Sequence, residues 1–159
     1  MTPVTIRAAR VEDAEAISAL ITSLAHHGLA DADDPGAAAA FFATVTPDAI
    51  AGALADARYR YYVAQADGVL AGVIGMRDAG HLYHLFVAEP FRGRGIAARL
   101  WDLARAEALA QGNPGRFTVN STRFAIPVYE RLGFVAADEL QAREGLVYLP
   151  MRMDPADEG

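Results

Sequence analysis

Residues 81–109 read HLYHLFVAEPFRGRGIAARLWDLARAEAL, and they change from strand-like to helix-like within one short turn. The first seven residues are rich in aromatic and aliphatic side chains, which favours a β-strand. From Ile96 onward, apolar residues recur at helical spacing, at Leu100 and Leu103. Residues 92–95, two arginines and two glycines, separate the two patterns. We therefore expect a strand–turn–helix unit whose helix begins directly after the glycines.

This turn predicts an anion site. A helix that begins straight after a turn leaves its first backbone N–H groups unpaired, and these groups and the helix dipole favour a phosphate. Gly93 and Gly95 let the backbone approach a ligand with no Cβ in the way. Arg92, Arg94 and Arg99 add positive charge to a chain of net charge -6. A diphosphate fits this turn, although the same glycines could simply form a tight turn.

A dinucleotide-binding fingerprint is the main rival interpretation. The letters GRGIAA fit its loose form, G-x-G-x-x-A. That fingerprint expects an acid about 20 residues further on and repeated strand–helix units around it. The positions around Thr118 offer no acid, and hairpin patterns surround the turn. A nicotinamide-linked oxidoreductase is therefore the weaker alternative. A P-loop nucleotide site is excluded, because the chain lacks the lysine-containing P-loop motif.

The rest of the chain predicts an α/β (α+β) fold with one mixed, mainly antiparallel sheet. Asp67-Gly68 between two apolar runs is a hairpin signal, Thr46 is a helix N-cap, and Gly133 is a helix C-cap. The pattern gives six to seven strands and about four helices, with a parallel step only around residues 82–121. We expect a single domain over residues 1–154 and a solvated tail over residues 155–159. Helices are predicted at 11–27, 46–57, 96–111 and 124–134, and strands at 4–9, 59–65, 69–78, 81–87, 116–121, 134–141 and 145–153.

Composition excludes several kinds of chemistry. The chain has no cysteine, which rules out disulfides, thiolate catalysis and cysteine–zinc sites. All its basic residues are arginine, so a Schiff-base lysine is also excluded. The net charge of -6 argues against nucleic acid as a partner, and no apolar run approaches the roughly 18 residues of a membrane span. The first residues lack a secretory pattern, so we expect a cytoplasmic protein without a membrane partner, and the histidine spacing predicts no metal site.

Two motifs carry a resemblance to a known family. The stretch LFVAEPFRGRGIAARL resembles the acyl-CoA signature of the GNAT superfamily of N-acetyltransferases, in which Arg or Gln, two residues, Gly, one residue and Gly or Ala are filled here by Arg92, Gly95 and Ala97. The stretch VNSTRFAIPVYERLGF, residues 119–134, resembles the late strand, short helix and tyrosine of the same family. In this second motif the matching positions are Ala125, Tyr129, Gly133 and Phe134. The resemblance spans nearly the whole chain in the same element order.

The resemblance implies a coenzyme A thioester held between two parallel strands that splay apart, here residues 81–87 and 116–121. The backbone of residues 85–87 would pair with the pantetheine arm, and the amides of residues 93–98 would hold the diphosphate. Many members carry an asparagine where this chain has Thr122, which keeps a hydroxyl but loses the amide. The implied cofactor-binding residues are Leu85, Phe86, Val87, Arg92, Gly93, Arg94, Gly95, Ile96, Ala97, Ala98 and Thr122.

The implied reaction is direct attack of an amine on acetyl-CoA. A backbone N–H at Phe86 or Val87 would stabilise the tetrahedral oxyanion. Tyr129 occupies the position of the family's general acid. A phenol of pKa ~10 is a weaker acid than a thiol of pKa ~8.5, so Tyr129 is expected to donate a hydrogen bond to the departing sulfur. The alternative interpretation is that Tyr129 is only a core aromatic residue on a short helix.

Several groups could take the proton of the amine, either directly or through water. His81 lies where some members carry a catalytic glutamate, and its ordinary pKa of ~6.5 suits a relay through water. His84 is three residues further and should face the other side of the strand. Glu89 precedes a proline at the strand exit, which favours a turn role. His26 and His27 end the first helix, where a helix-dipole contact is the simpler explanation.

The acceptor is expected to be a primary amine of a small molecule or peptide, and a homodimer is possible. By resemblance, residues 25–42 and the last hairpin would build its pocket. Asp31, Asp33 and Asp34 could attract a cationic amine or simply face solvent, and Phe41 and Phe42 could line the pocket or fill the core. The alternative function is not enzymatic. A non-catalytic acyl-CoA-binding module would not need the Tyr129 hydroxyl.

Overall fold

The computed structural model describes residues 3–28, 35–143 and 146–155. It confirms a mixed α/β fold with a mainly antiparallel sheet and one parallel strand pair. The strands are β1 (Thr5–Ala8), β2 (Tyr59–Ala66), β3 (Val69–Arg77), β4 (His81–Val87), β5 (Phe117–Ser121), β6 (Val135–Ala136), β7 (Gln141–Arg143) and β8 (Leu146–Met153). The helices are α1 (Ala14–Gly28), α2 (Pro35–Ala43), α3 (Pro47–Leu54), α4 (Ile96–Ala110) and α5 (Ile126–Leu132).

The sheet has the order β1-β2-β3-β4-β5-β8-β6, and β7 pairs with β8. Every described pairing is antiparallel except that of β4 with β5, which α4 connects. A parallel pair needs such a crossover because its strands run in the same direction. The glycine turn therefore lies at the carboxyl end of β4, where α4 begins.

Local signals in the sequence produce the elements that they predict. Asp67 and Gly68 have φ of 53° and 77°, the left-handed conformation that a tight hairpin requires. Thr46 accepts a hydrogen bond from the Ala49 amide at 3.2 Å and so caps α3. Gly133 has φ of 108° and ends α5. These three features confirm the expected hairpin and caps.

Two elements differ from the sequence expectation. Helix α2 begins at Pro35, between the first two predicted helices, where no helix was expected; proline is favoured in a first turn and the following alanines are strong helix formers. The strand expected over residues 134–141 is divided into β6 and β7, with a bend in which the Asp138 carboxylate accepts from the Glu139 amide at 2.7 Å. Residues 29–34, which include Asp31, Asp33 and Asp34, and residues 156–159 of the predicted tail lie outside the described residues.

The sheet separates two hydrophobic clusters. The α4 face, which also contacts α5, carries Trp101 with its ring 4.9 Å from that of Phe117 and 5.2 Å from that of Phe134. The opposite side, the α1/α3 face, carries a second cluster of aliphatic side chains and tyrosines. The fully buried large side chains of the two faces are Phe117, Phe134, Leu82, Ile74, Ile96, Leu100 and Met151 on the first and Ile17, Ile21, Val45, Ile50 and Val63 on the second.

Asn113 joins the turn before β4 to the loop before β5. Its side-chain Nδ2 donates to the Ala79 carbonyl at 2.7 Å and to the Arg116 carbonyl at 2.9 Å. Its Oδ1 accepts from the Gly115 amide at 2.6 Å and the Arg116 amide at 2.9 Å. One side chain thereby fixes where the parallel pair starts.

Replacing Asn113 with alanine is expected to lower the free energy of unfolding by about 2 kcal/mol, because backbone groups of two loops lose their partner. Urea unfolding measures this difference. Asn120→Ala is the matched control, because Asn120 is exposed on β5 and should change stability by less than about 0.5 kcal/mol. Equal losses in the two variants would contradict the role assigned to Asn113.

Candidate active site

Strands β4 and β5 pair over two residues and then separate. His81 lies opposite Thr118 and Leu82 opposite Val119, and no further pair joins these strands in the part of the chain that the structure describes. On its other side β5 pairs with β8 over its whole length, and β4 pairs with β3 up to Val87. The splayed parallel pair is thus confirmed, and it leaves one backbone edge of residues 83–87 without a strand partner.

The glycine turn lies at the open end of this gap. Gly93 and Gly95 have φ of 80° and 73°, a conformation that favours glycine, and a Cβ at either position would meet no atom within 4 Å. Gly95 is the N-cap of α4 and supplies no side-chain acceptor to the first amides of the helix. The first amides of α4 therefore have no side-chain cap among the described residues, which leaves them available to an anion such as a diphosphate.

The arginines of the turn have individual roles. The Arg92 Nε donates to the Val87 carbonyl at 3.3 Å, which ties the turn to the end of β4. The Arg94 guanidinium lies 5.4 Å from the centre of the Phe91 ring. Arg99 instead donates to the Val4 carbonyl at 3.2 Å and so links α4 to the chain before β1.

The other predicted cofactor residues divide into side chains and backbone. Ile96 is buried in the α4 face, so only its amide can contact a ligand, whereas Ala97 and Ala98 are more exposed. Leu85 and Val87 pack against the α4 face, and Phe86 packs against the opposite one. The Thr122 hydroxyl accepts from the Ala125 amide at 3.3 Å, so this residue caps the turn that leads into α5.

Tyr129 lies on α5 within the α4 face. It is 6% exposed, and its ring packs edge-on against Phe134 at 5.8 Å between ring centres. Burial raises the pKa of its hydroxyl, so the phenol remains protonated at neutral pH. No described residue forms a hydrogen bond with this hydroxyl.

His81 lies at the closed end of the splayed pair. Its Nδ1 is 2.8 Å from the Thr118 hydroxyl. Burial lowers the pKa of its imidazole, Arg77 lowers it further, and Asp78 opposes both. By strand geometry His81 is roughly 20 Å along β4 from Val87, so it would act at the base of the gap.

His84 faces the same side of the sheet as His81, so the expectation of opposite sides is wrong. The register of β4 against β3 shifts here, because Gly75 opposes His84 and Met76 opposes Leu82, which leaves Tyr83 as an extra, bulged residue. The bulge places neighbouring rings on one face, with the Tyr83 and His84 ring centres 4.2 Å apart. Both histidines therefore belong to the α1/α3 face.

A cleft of about 180 Å³ opens beside His84 on this face. Its walls come from α3 and from β2 and β4, and three tyrosine rings dominate them. The lining residues are Thr44, Ala49, Ile50, Gly52, Ala53, Asp56, Tyr59, Tyr61, Tyr83 and His84. This cleft was not predicted from the sequence, although Tyr59 and Tyr61 alternate along β2 in a way that indicates a shared face.

The remaining residues that the sequence suggested for the site have the following positions. Glu89 is exposed in the short 3-10 turn after β4, and Phe41 and Phe42 pack against the α1/α3 core. Asp31, Asp33 and Asp34 and the side chains of His26 and His27 lie outside the described residues. Within the described ranges, no three histidine or acidic residues group in a way that could hold a metal ion, and no helix has the length and apolar character to cross a bilayer.

The buried His84 predicts a pH dependence of stability. Burial lowers its pKa to about 3, so the folded chain stays unprotonated at this site at pH 5, where an unfolded histidine of pKa ~6.5 is charged. Stability from this group is complete above pH 6.5 and falls as the pH drops, by roughly 2 kcal/mol between pH 6.5 and 5. Urea unfolding should show this loss in the wild type, and a smaller one in His84→Gln. If the free energy of unfolding depended on pH equally in both proteins, the role assigned to His84 would be contradicted.

Known proteins were compared with this chain. Residues 17–155 match the family model described as an acetyltransferase (GNAT) domain. The curated acetyltransferase Atu2258 of Agrobacterium fabrum is 37% identical over 76 residues, a match that covers 46% of this chain and 56% of that protein. The chain thus spans about half the length of this relative.

Solved structures share the fold at low identity. A GCN5-related N-acetyltransferase from Rhodopseudomonas palustris matches with a TM-score of 0.77 and 23% identity, over 96% of this chain and 95% of that one. The PaiA N-acetyltransferase from Thermoplasma acidophilum, solved with coenzyme A, matches with a TM-score of 0.76 and 14% identity, over 94% and 98%. With the splayed strands and the glycine turn, the family match leads to one conclusion: the chain belongs to the GNAT acetyltransferase family.

Proposed function

We propose that this protein transfers the acetyl group of acetyl-CoA to a primary amine of a small molecule or peptide. The observation that carries the proposal is the gap between β4 and β5, whose strands stop pairing after Leu82, with the uncapped start of α4 at its open end. An extended thioester with a diphosphate at one end matches this gap. The complex of the PaiA relative with coenzyme A supports the same ligand.

The cofactor would run from the glycine turn into the gap. The amides of residues 93–98 would hold the diphosphate, with Arg92 and Arg94 adding positive charge at the turn. The backbone of Leu85, Phe86 and Val87 would pair with the amide groups of the pantetheine arm, replacing the strand partner that β5 does not provide. Thr122 would contact the cofactor only through its hydroxyl, which also caps the following turn.

The chemistry would be direct attack of the neutral amine on the thioester carbonyl. An unpaired N–H of β4, at Phe86 or Val87, would stabilise the oxyanion. The buried Tyr129 hydroxyl would donate a hydrogen bond to the departing thiolate, and its raised pKa favours hydrogen bonding over full proton transfer. The amine proton would leave to water. His81, which the Thr118 hydroxyl holds in place, lies roughly 20 Å along β4 from Val87 and would receive the proton only through a chain of waters.

The acceptor would approach from the α1/α3 face, where the cleft lies against the same strand β4. This proposed pocket is built on α3, β2 and β4, whereas the resemblance pointed to residues 25–42 and the last hairpin, in which residues 29–34 and 144–145 lie outside the described residues. Cofactor and acceptor would then meet at β4 from different directions.

The experiment that tests the function is an amine panel with acetyl-CoA and detection of the free thiol. Thiol release that depends on one amine, with a matching acetylated product by mass spectrometry, supports the proposal. Binding of coenzyme A without turnover on any amine would instead favour a non-catalytic acyl-CoA-binding module.

Tyr129→Phe is expected to lower kcat by about 100-fold while leaving the dissociation constant of coenzyme A within a factor of two. The substitution keeps the packing against Phe134 and removes only the donor to the leaving sulfur. Steady-state kinetics and calorimetric titration measure the two quantities. An unchanged kcat would show that the hydroxyl takes no part in transfer.

Gly95→Ala is expected to weaken coenzyme A binding by at least 10-fold, because a side chain disfavours φ of 73° and moves the amides that would hold the diphosphate. Gly68→Ala is the matched control, since Gly68 has φ of 77° and equally open space but lies in the β2–β3 hairpin. Both variants should lose similar stability, and only the first should lose affinity. Equal affinities would contradict the role of the turn.

A further inference from the structure

Tyr61, Gly75 and His84 form one row across the sheet, in which the first two residues position the third. Tyr61 on β2 lies opposite Gly75 on β3, and Gly75 lies opposite His84 on β4. Residues that oppose each other on neighbouring strands share a face of the sheet. Because Gly75 has no side chain, the Tyr61 ring lies across it, and the Tyr61 hydroxyl reaches the His84 Nδ1 at 2.8 Å.

The direction of this hydrogen bond follows from the acidity and basicity of the two groups. The described residues offer the Tyr61 hydroxyl no partner except the His84 Nδ1, so either direction leaves one proton for the cleft. A phenol is a stronger acid than a neutral imidazole N–H, and an imidazole nitrogen is a better acceptor than a phenol oxygen. Tyr61 therefore donates, and Nδ1 accepts. In a neutral imidazole the ring proton then resides on Nε2.

The His84 ring lines the cleft, and its Nε2 has no hydrogen-bond partner among the described residues. The groups around it keep it neutral. His84 is 5% exposed, its neighbours on β2 and β4 are the phenols of Tyr59, Tyr61 and Tyr83, and burial lowers its pKa. The charged groups nearby are Asp56, exposed on the cleft wall after α3, and Arg77 of β3, which lies over the outer Tyr83 ring at 5.2 Å.

We infer that His84 is a fixed hydrogen-bond donor in the acceptor cleft, and that the preferred acceptors are primary amines that also carry an oxygen able to accept from its Nε2. This inference rests on the proposed function, which it deepens by naming the acceptor class. Amines bearing a hydroxyl, carboxylate or amide carbonyl near the reacting nitrogen belong to this class. Simple alkylamines would enter the cleft and leave the donor unpaired.

The same geometry assigns Tyr61 and Gly75 a positioning role. A proton-accepting His84 would need a lone pair on Nε2. When Nδ1 accepts from Tyr61, Nε2 carries the ring proton and has no lone pair to offer. The tyrosine fixes the tautomer, and the glycine leaves room for the tyrosine. A Cβ on residue 75 would overlap the Tyr61 ring, since no more than 2.4 Å would separate it from Cε2.

The first experiment measures the tautomer directly, and it does not depend on turnover. Histidine-selective 15N NMR of the full chain is recorded between pH 5 and 8, with His84→Gln identifying the signal of His84 among the four histidines. The expected spectrum has the proton on Nε2 and no titration in this range. A proton on Nδ1, or protonation near pH 6.5, would overturn the inference.

The second experiment compares matched acceptors of equal length, one with an oxygen and one with a methylene in its place. The wild type should favour the oxygen-bearing amine in kcat/KM by about 10- to 100-fold. His84→Gln retains an N–H donor and should preserve part of this preference, and His84→Leu should bring the ratio close to one, mainly through KM. Gly75→Ala should reduce the ratio in the same direction.

The outcomes separate the inference from the proposed function. An undiminished kcat/KM preference for the oxygen-bearing amine in His84→Leu would overturn the donor role. Loss of the acidic limb of the pH–rate profile in the same variant would also overturn it, because that limb reports a group that acts as a base. Binding of coenzyme A, measured by calorimetry, should be unchanged in these variants. Intact binding without turnover on any amine would contradict the proposed function, while the NMR experiment still decides the state of His84.

Discussion

The parallel contact between β4 and β5 is the constraint on which the candidate site depends. It holds at two residue pairs, and beyond them the facing edges of β4 and β5 have no strand partner among the described residues. Strand β3 binds β4 up to Val87, and β8 binds β5 through five pairs. Asn113 anchors the closed end, and the packing of Trp101 between Phe117 and Phe134 holds β5 and the chain after α5 against α4. The gap is therefore a feature of the hydrogen-bond pattern and does not require a mobile element.

The two faces of the sheet would supply different parts of the proposed chemistry. The α4 face contributes the uncapped helix start and the buried Tyr129 hydroxyl, which suit a diphosphate and a leaving thiolate. The α1/α3 face contributes the aromatic cleft and both histidines of β4. The bulge at Tyr83 creates this division, because it shifts His84 onto the same side as His81 while Leu85 and Val87 remain on the α4 face. An amine and a thioester can thus reach one strand without competing for space.

The sequence predicted those features that short-range rules control. The hairpin at Asp67-Gly68, the Thr46 cap and the glycine turn depend on the conformational preferences of a few adjacent residues, and all three occur as expected. The bulge at Tyr83 was not predictable in this way, because it arises from the register between β3 and β4. The same holds for the row of Tyr61, Gly75 and His84, whose members lie on three strands. A glycine within an apolar strand was the one available sign, since such a glycine often marks a close approach.

The central claim is that bare amides at the start of α4 hold the diphosphate of coenzyme A and thereby place its thioester in the gap. Calorimetric titration with coenzyme A and with pantetheine, which lacks the adenosine, its 3′-phosphate and the diphosphate, tests it most directly. The account predicts measurable heat with coenzyme A and at least 100-fold weaker binding of pantetheine. Absence of heat with coenzyme A, or equal affinity for the two ligands, would contradict it.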